Sequence, residues 1–462
     1  MSPGDGPGAV AGGAVRAAAS SPAAGGGQRP WRLRDGLSYG ALGLPLAFVA
    51  LPLYVVWPAH YAATQAVSLA ALGAVLLAAR LFDAVIDPWI GRAADALFAR
   101  SPGHAWRAAA LAAGGLAGGF VGLFFPPQGL GAGTGTGPVV WAAAMLVLTY
   151  ACYSLVSVVH QAWGARWGGD APLRARIVAW RESAALAGVL LASVTPALWG
   201  LPAMAATFIV ALALGLAALA AAPAVPITPG AASTAAATRS PGGTAPPSLR
   251  EPWRVRDFRA LIAVFVVNGI ASAVPATLFL FFVRDRLTAG AWEGAFLAAY
   301  FAAAAVSMPL WLAAVRRLGL ARSWLAGMLL AVVTFAGAAA LGPGDVLPFL
   351  AVCVASGLAL GADLAVPAAM LTGVVRRHGH GGRAEGAYFG WWNFASKLNL
   401  ALAAGVALPA LSLWGYAPGS REPQALAALT LAYCVLPCAL KLLAAASLYA
   451  LWIRPLRSGA DR

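Results

Sequence analysis

Twelve stretches of apolar residues divide this chain, and their length constrains its fold more than any other feature. They occupy 37–57, 67–90, 108–125, 140–162, 179–199 and 202–222, then 261–283, 294–315, 324–341, 347–374, 387–411 and 426–453. A run of about twenty apolar residues matches an α-helix that crosses the hydrocarbon core of a bilayer. In lipid the backbone must satisfy its own hydrogen bonds, so such runs become helices. The expected fold is an all-α polytopic membrane protein with twelve transmembrane helices. Composition agrees, because 61% of the residues are hydrophobic and only 10% charged, where a soluble domain carries about a quarter charged.

The net charge of +15 would suggest nucleic acid in a soluble protein. Here it follows the loops instead. Arg29, Arg32 and Arg34 precede the first stretch. Alternate loops carry Arg92, Arg100 and Arg107; Arg166, Arg174 and Arg176; Arg250, Arg254, Arg256 and Arg259; Arg316, Arg317 and Arg322; Arg376, Arg377 and Arg383. Arg454 and Arg457 follow the last stretch, and the other loops hold only Arg284, Arg286 and Arg421. By the positive-inside rule both termini and the centre are expected in the cytoplasm. The bilayer is the expected surroundings, with no nucleic-acid partner and the chain acting as a monomer. Scarce lysine with abundant Ala, Gly and Arg points to a GC-rich bacterial genome, hence to the bacterial cytoplasmic (inner) membrane.

A segment rich in Pro, Ala, Gly, Ser and Thr, 223–247, separates two groups of six stretches and reads as a linker. The expected division is a disordered cytoplasmic tail at 1–34, a six-helix half at 35–222, a cytoplasmic linker at 223–257, a second six-helix half at 258–454 and a short tail at 455–462. Residues 1–30 lack an apolar core of the signal-peptide kind. The four cysteines all lie in apolar runs and read as packing residues. A faint repeat relates the halves: Pro88-Trp89 precedes Arg92 and Asp95, as Pro309-Leu310-Trp311 precedes Arg316 and Arg317.

Charges inside the apolar stretches are the candidate functional groups, because an ionised side chain costs several kcal/mol there unless it is paired or hydrated. Arg80, Asp83 and Asp87 follow one another at helical spacing and share a face. Lys397 lies in the middle of an apolar stretch beside Asn393, Ser396 and Asn399, and must pair or deprotonate. Asp363 is another intramembrane acid, open to a substrate role or a structural bond. His160, Gln161 and Asn268 are polar groups that can face a cavity or bond a neighbouring helix. Trp392 can stack on a sugar ring or pack in the core. Lys441 reads as structural. His378-Gly-His380 has no further ligand nearby, and no metal site is expected.

Arg80-x-x-Asp83-Ala-x-x-Asp87-Pro88-x-x-Gly91-x-x-x-Asp95 resembles the second-helix signature of the glycoside–pentoside–hexuronide:cation symporters, the melibiose permease family of the major facilitator superfamily. Ser38-Tyr39-Gly40, the pair Arg174 and Arg181, and Gly386-Ala-Tyr388-Phe389-Gly390-Trp-Trp-Asn393-Phe-Ala-Ser-Lys397 resemble other parts of it in the same order. The resemblance implies the major facilitator fold, two six-helix halves with the site between them. It implies that Asp83 and Asp87 belong to a cation site, with Lys397 as their charge partner; helical spacing offers Arg80 as a further partner, or as a purely structural ion pair with Asp83. It adds Arg181 and Asn393 to the substrate-binding candidates His160, Gln161, Asn268, Asp363 and Trp392. Gly91, Arg92 and Asp95 resemble the cytoplasmic gate of that superfamily. The chain departs from the melibiose permeases at Gly43-Leu44-Pro45 and at Thr372-Gly373, where they carry acids, and has serine in the fourth helix at Ser154 and Ser157.

The expected function is secondary active symport of a small solute, a sugar or glycoside, coupled to H+ or Na+, with no other cofactor. An alternative within the same fold is lysolipid or drug transport. An alternative of another class is an intramembrane prenyltransferase, since Asp83 and Asp87 have the D-x-x-x-D spacing. It requires a second acidic cluster, where this chain has Ser307, Pro309 and Arg316. No G-x-x-x-x-G-K-[ST] segment supports an ATP-driven pump.

Overall fold

The computed structural model describes residues 31–65, 67, 69–128, 136–224, 248–417 and 419–454. The segments 1–30, 225–247 and 455–462, where the sequence places tails and most of the linker, lie outside the described residues. Every regular element among the described residues is helical. Nine of these helices are long and apolar enough to cross a membrane. They are α5 (Pro102–Phe124), α6 (Gly137–Trp167), α7 (Ala171–Pro196), α8 (Leu198–Ala220), the run that begins with α10 (Arg256–Phe281), the one that holds α11 (Glu293–Leu318), α12 (Leu320–Ala338), α13 (Val346–Arg377), and the run made of α15 (Pro423–Thr430), a π turn and α16 (Leu436–Leu448). Three more helical stretches stand beside them. The first is broken into α1 (Leu33–Gly40), α2 (Gly43–Phe48), a π turn over Pro52–Val56 and α3 (Trp57–Gln65). The others are α4 (Leu69–Arg100) and α14 (Glu385–Leu413).

The chain kinks where α7 passes into α8, at Gly200 in the first turn of α8, whose φ of 79° only glycine adopts cheaply, with Pro196 and Pro202 on either side. Pro88, by contrast, stays within the unbroken α4. Large apolar side chains face outward along the rods. Leu111, Val306, Val333 and Leu347 are 72–80% exposed, which suits a surface wetted by lipid rather than water.

Buried residues form one core in the first group of helices, around Trp57, Phe120 and Phe208, and further cores in the second group, around Trp324 and around Phe282 and Phe349. The arginine-rich loops lie together at one end of the bundle. There a short helix, α9 (Glu251–Arg254), joins Glu251 to Arg383 and His380, and Leu249 accepts a hydrogen bond from Trp391. Thus 248–254, expected as linker, is packed structure. His380 stands 3.4 Å from Glu251; burial pushes the imidazole pKa down, against the pull of that carboxylate. The opposite end carries a smaller network in which Tyr416 and the Gly419 N–H donate to Asp285.

Candidate functional site

Two stripes of residues build the contact between the halves. On α4, Asp83, Asp87, Gly91 and Asp95 recur every four residues and so lie on one face. On α14, Gly386, Gly390, Asn393 and Lys397 recur at spacings of four, three and four. The glycines let the two backbones touch. A Cβ at Gly390 would stand 2.5 Å from the Asp87 carbonyl oxygen, and one at Gly91 would fall on that of Gly386. Small residues at a helix crossing permit this approach in membranes. The approach then carries the long side chain of Lys397, two turns beyond Gly390, to the acids of α4.

The Lys397 Nζ lies 2.7 Å from Asp83 Oδ1 and 2.8 Å from Asp87 Oδ2. It also donates to Ser154 Oγ of α6 at 2.8 Å, and that hydroxyl donates to Asp83 Oδ1 at 2.7 Å. Asp87 is fully buried, and Asp83 and Ser154 nearly so. Two carboxylates and one ammonium thus meet, both acids buried, and the ammonium comes from the other half of the molecule. Arg80 stands beside Tyr150. The ion pair closest to Asp83 is made by Lys397, and the Arg80 guanidinium lies within electrostatic reach of the same acid.

Asp95 ends the stripe on α4. Its two oxygens accept the N–H groups of Gly386 and Ala387, each at 2.7 Å, donors that the first turn of α14 leaves unpaired. Arg166 at the end of α6 pairs with Asp95 at 3.0 Å and with Glu385 at 3.1 Å. The arginine-rich end is therefore closed by an acid of one half capping a helix of the other. Arg92, expected in the gate with Gly91 and Asp95, is exposed, and the guanidinium that meets Asp95 is that of Arg166 on the inner face of α6.

The remaining candidates separate. Gln161 donates to Ser157 at 2.9 Å and to Asn393 at 3.2 Å, a bond between the halves. Arg181 pairs with its neighbour Glu182 at 2.6 Å and lines a pocket of only about 10 Å³ with Tyr39, Gln161 and Phe389. His160 is fully buried, bonded through Nε2 to the Tyr39 carbonyl at 2.8 Å and packed on the Tyr39 ring. Trp392 stacks on Phe265 with ring centres 3.6 Å apart and is 6% exposed. In this structure both pack against aromatic neighbours, and His160 keeps its Nδ1 buried without a hydrogen-bond partner.

Asn268 and Asp363 form a second polar cluster wholly within the second half. Lys441 of α16 pairs with Asp363 at 2.7 Å and donates to Asn268 Oδ1 at 2.9 Å. Trp324 and Asn268 donate to Asp363 Oδ1 at 2.8 and 3.1 Å, and the Ser272 hydroxyl stands 3.4 Å from Oδ2. Lys441 had read as structural by itself. Its signal was arithmetic: Asp363 needs a counter-charge, and the chain has only two lysines. Ser154, Arg166 and Glu385 gave no such signal, because serine is common in membrane helices and the other two sit at helix ends.

Comparison with known proteins places this geometry in context. A family described as MFS/sugar transport protein matches residues 36–454. No curated protein sequence matches the chain. A bacterial homologue of the iron transporter ferroportin, in an outward-facing state, superposes with a TM-score of 0.66 at 18% identity, covering 91% of this chain and 99% of that one. The proton:xylose symporter XylE, bound to 6-bromo-6-deoxy-D-glucose, gives 0.62 at 15% identity, covering 90% and 94%. The human organic anion transporter MFSD10 (TETRAN) gives 0.57 at 18%, covering 91% and 100%. Likeness at such identities shows the fold, and the fold is that of the major facilitator transporters.

Proposed function

The chain belongs to the MFS/sugar transport protein family, and from that premise we propose that it is a cation-coupled symporter with Asp83, Asp87 and Lys397 as its coupling centre. One observation carries the reading. The lysine that neutralises both aspartates comes from the opposite half, so the halves cannot part there without stranding charge in the membrane. A bound H+ or Na+ offsets the carboxylates in place of the ammonium and lets the halves separate. The ion then biases which end of the protein is open, which is what coupling requires.

In this reading the twelve helical stretches all cross a bacterial inner membrane, with the arginine-rich end and both termini in the cytoplasm. Asp95, Arg166 and the first turn of α14 are the cytoplasmic gate. The family description supports a sugar or glycoside as solute. The three structural relatives are described as a homologue of an iron transporter, a proton:xylose symporter and an organic anion transporter, so the fold leaves the solute open. One feature favours a second reading, an amphipathic solute: the cavity in the second half is walled mainly by apolar side chains.

The ion is tested without knowing the solute. Thermal unfolding of the purified protein is followed in NaCl against choline chloride, and in sodium-free buffer across pH. A ligand that binds only the folded state adds about 2.7 kcal/mol of stability at a hundredfold excess over its Kd. We expect either a sodium-specific rise or a pH-dependent change, and its loss in Asp87→Asn. Wild type and Asp87→Asn responding alike to both would sink the coupling assignment. In vesicles, Asp87→Asn should abolish accumulation against a gradient while exchange persists.

A further inference from the structure

A cavity of about 400 Å³ lies in the second half, and the coupling centre uses none of its residues. Helices α10, α11, α12, α13 and α16 wall it, and Leu51 and Val189 of the first half close one side. Its lining runs over 271–280 on α10 and 349–363 on α13. It therefore extends from mid-helix toward the arginine-poor end. Phe279, Phe301 and Phe335 dominate the walls, and Asp363, Lys441 and Ser272 stand together at the deep end. A concave apolar space of this size with a few convergent polar groups has the character of a small-molecule site.

The hydrogen bonds at the deep end decide which molecule fits. An ionised carboxylate offers about four acceptor positions. Three donors hold Asp363, namely Asn268, Trp324 and Lys441, while Ser272 gives its one proton to the Asn268 carbonyl at 3.1 Å and stands 3.4 Å from the acid. The Lys441 ammonium has three N–H donors, and two go to Asn268 and Asp363. The deep end therefore has an ammonium N–H to spare. A ligand head that accepts hydrogen bonds is satisfied there. A cationic head would meet an ammonium of its own sign and a carboxylate already held by three donors. A sugar would turn most of its hydroxyls toward phenylalanine, at about 1–3 kcal/mol for each buried group left unpaired.

We propose that this cavity binds an amphipathic carboxylate, with its apolar body between Phe279, Phe301 and Phe335 and its carboxylate on the Lys441 ammonium. The site deepens the amphipathic reading above and shares no side chain with Asp83, Asp87 or Lys397. The head joins an existing Lys441–Asp363 pair, so binding needs no charge to be stripped from the protein.

Cys438, on the cavity wall one turn before Lys441, is the reporter. Full-length protein in phosphatidylcholine nanodiscs is treated with N-ethylmaleimide, and alkylation of Cys438 is timed by site-resolved mass spectrometry. Decanoate is the probe, with decanol and decyltrimethylammonium as controls of equal chain length. The thermal unfolding midpoint is read in parallel. Decanoate at ten times its Kd should slow alkylation about tenfold and raise the midpoint, and the controls should do neither. In Lys441→Met/Asp363→Leu, which removes both charges together and strands neither, decanoate should act no better than decanol. Asp87→Asn should lose the ion response and keep the decanoate response, which separates this site from the coupling centre. The proposal is overturned if decanoate changes neither readout, if either control matches it in the wild type, or if the double variant keeps the decanoate preference.

Discussion

Lys397→Ala should be the most damaging single substitution in the membrane interior. It leaves Asp83 and Asp87, both nearly or fully buried, without the ammonium that now sits within 2.8 Å of each. Breaking a buried pair by removing one partner costs about 3–5 kcal/mol, because the charge left behind is uncompensated. Transport should be lost and the unfolding midpoint should fall. Removing the acids as well should reverse much of the damage. Lys397→Ala/Asp83→Ala should be more stable than the sum of the single changes predicts, and Lys397→Ala/Asp83→Asn/Asp87→Asn more stable again. The measurement is a double-mutant cycle on thermal unfolding in detergent. Additive losses at both aspartates would mean that the lysine does not meet them in the folded protein.

Gly91→Leu should be nearly as severe for a different reason. The space a side chain needs is filled by the Gly386 carbonyl and the Gly390 Cα, which are backbone and cannot rotate aside. Overpacking typically costs about 1–3 kcal/mol and occasionally more, and here the whole α4–α14 crossing must open to relieve it. The Asp95 cap on Gly386 and Ala387 opens with it. We expect transport to fall to background. The arginine-rich end should become accessible, so that a cysteine placed at buried Thr372, which lines the small pocket there, is alkylated at least about tenfold faster. Gly118→Leu, where a Cβ meets nothing within 4 Å, is the matched control and should change neither. Unchanged labelling and transport in Gly91→Leu would show that this crossing does not close the end.

Local sequence carried much of the architecture. Apolar stretches of membrane length are set by bilayer thickness, and arginine placement by the membrane's asymmetry, so neither depends on which helix packs against which. The same holds for the shared face of Asp83, Asp87, Gly91 and Asp95, which is a property of the α-helical period alone. It holds for the conclusion that Lys397 must have a partner, because an isolated ammonium in lipid is costly wherever the chain leads it.

Which partner it has was decided by tertiary structure. Residues 83 and 397 lie 314 positions apart, and only the glycine-lined crossing of α4 and α14 brings them within reach. The same end of the bundle set Arg166 between Asp95 and Glu385 and left Arg92 exposed. Packing likewise set His160 against Tyr39 and Trp392 against Phe265, neighbours that no helical period names. It promoted Lys441, which periodicity could place on a helix but not beside Asp363. Hydrogen-bond and charge satisfaction state that a buried polar group must be paired; the chain's own helical period cannot say with what, because the answer lies on another helix.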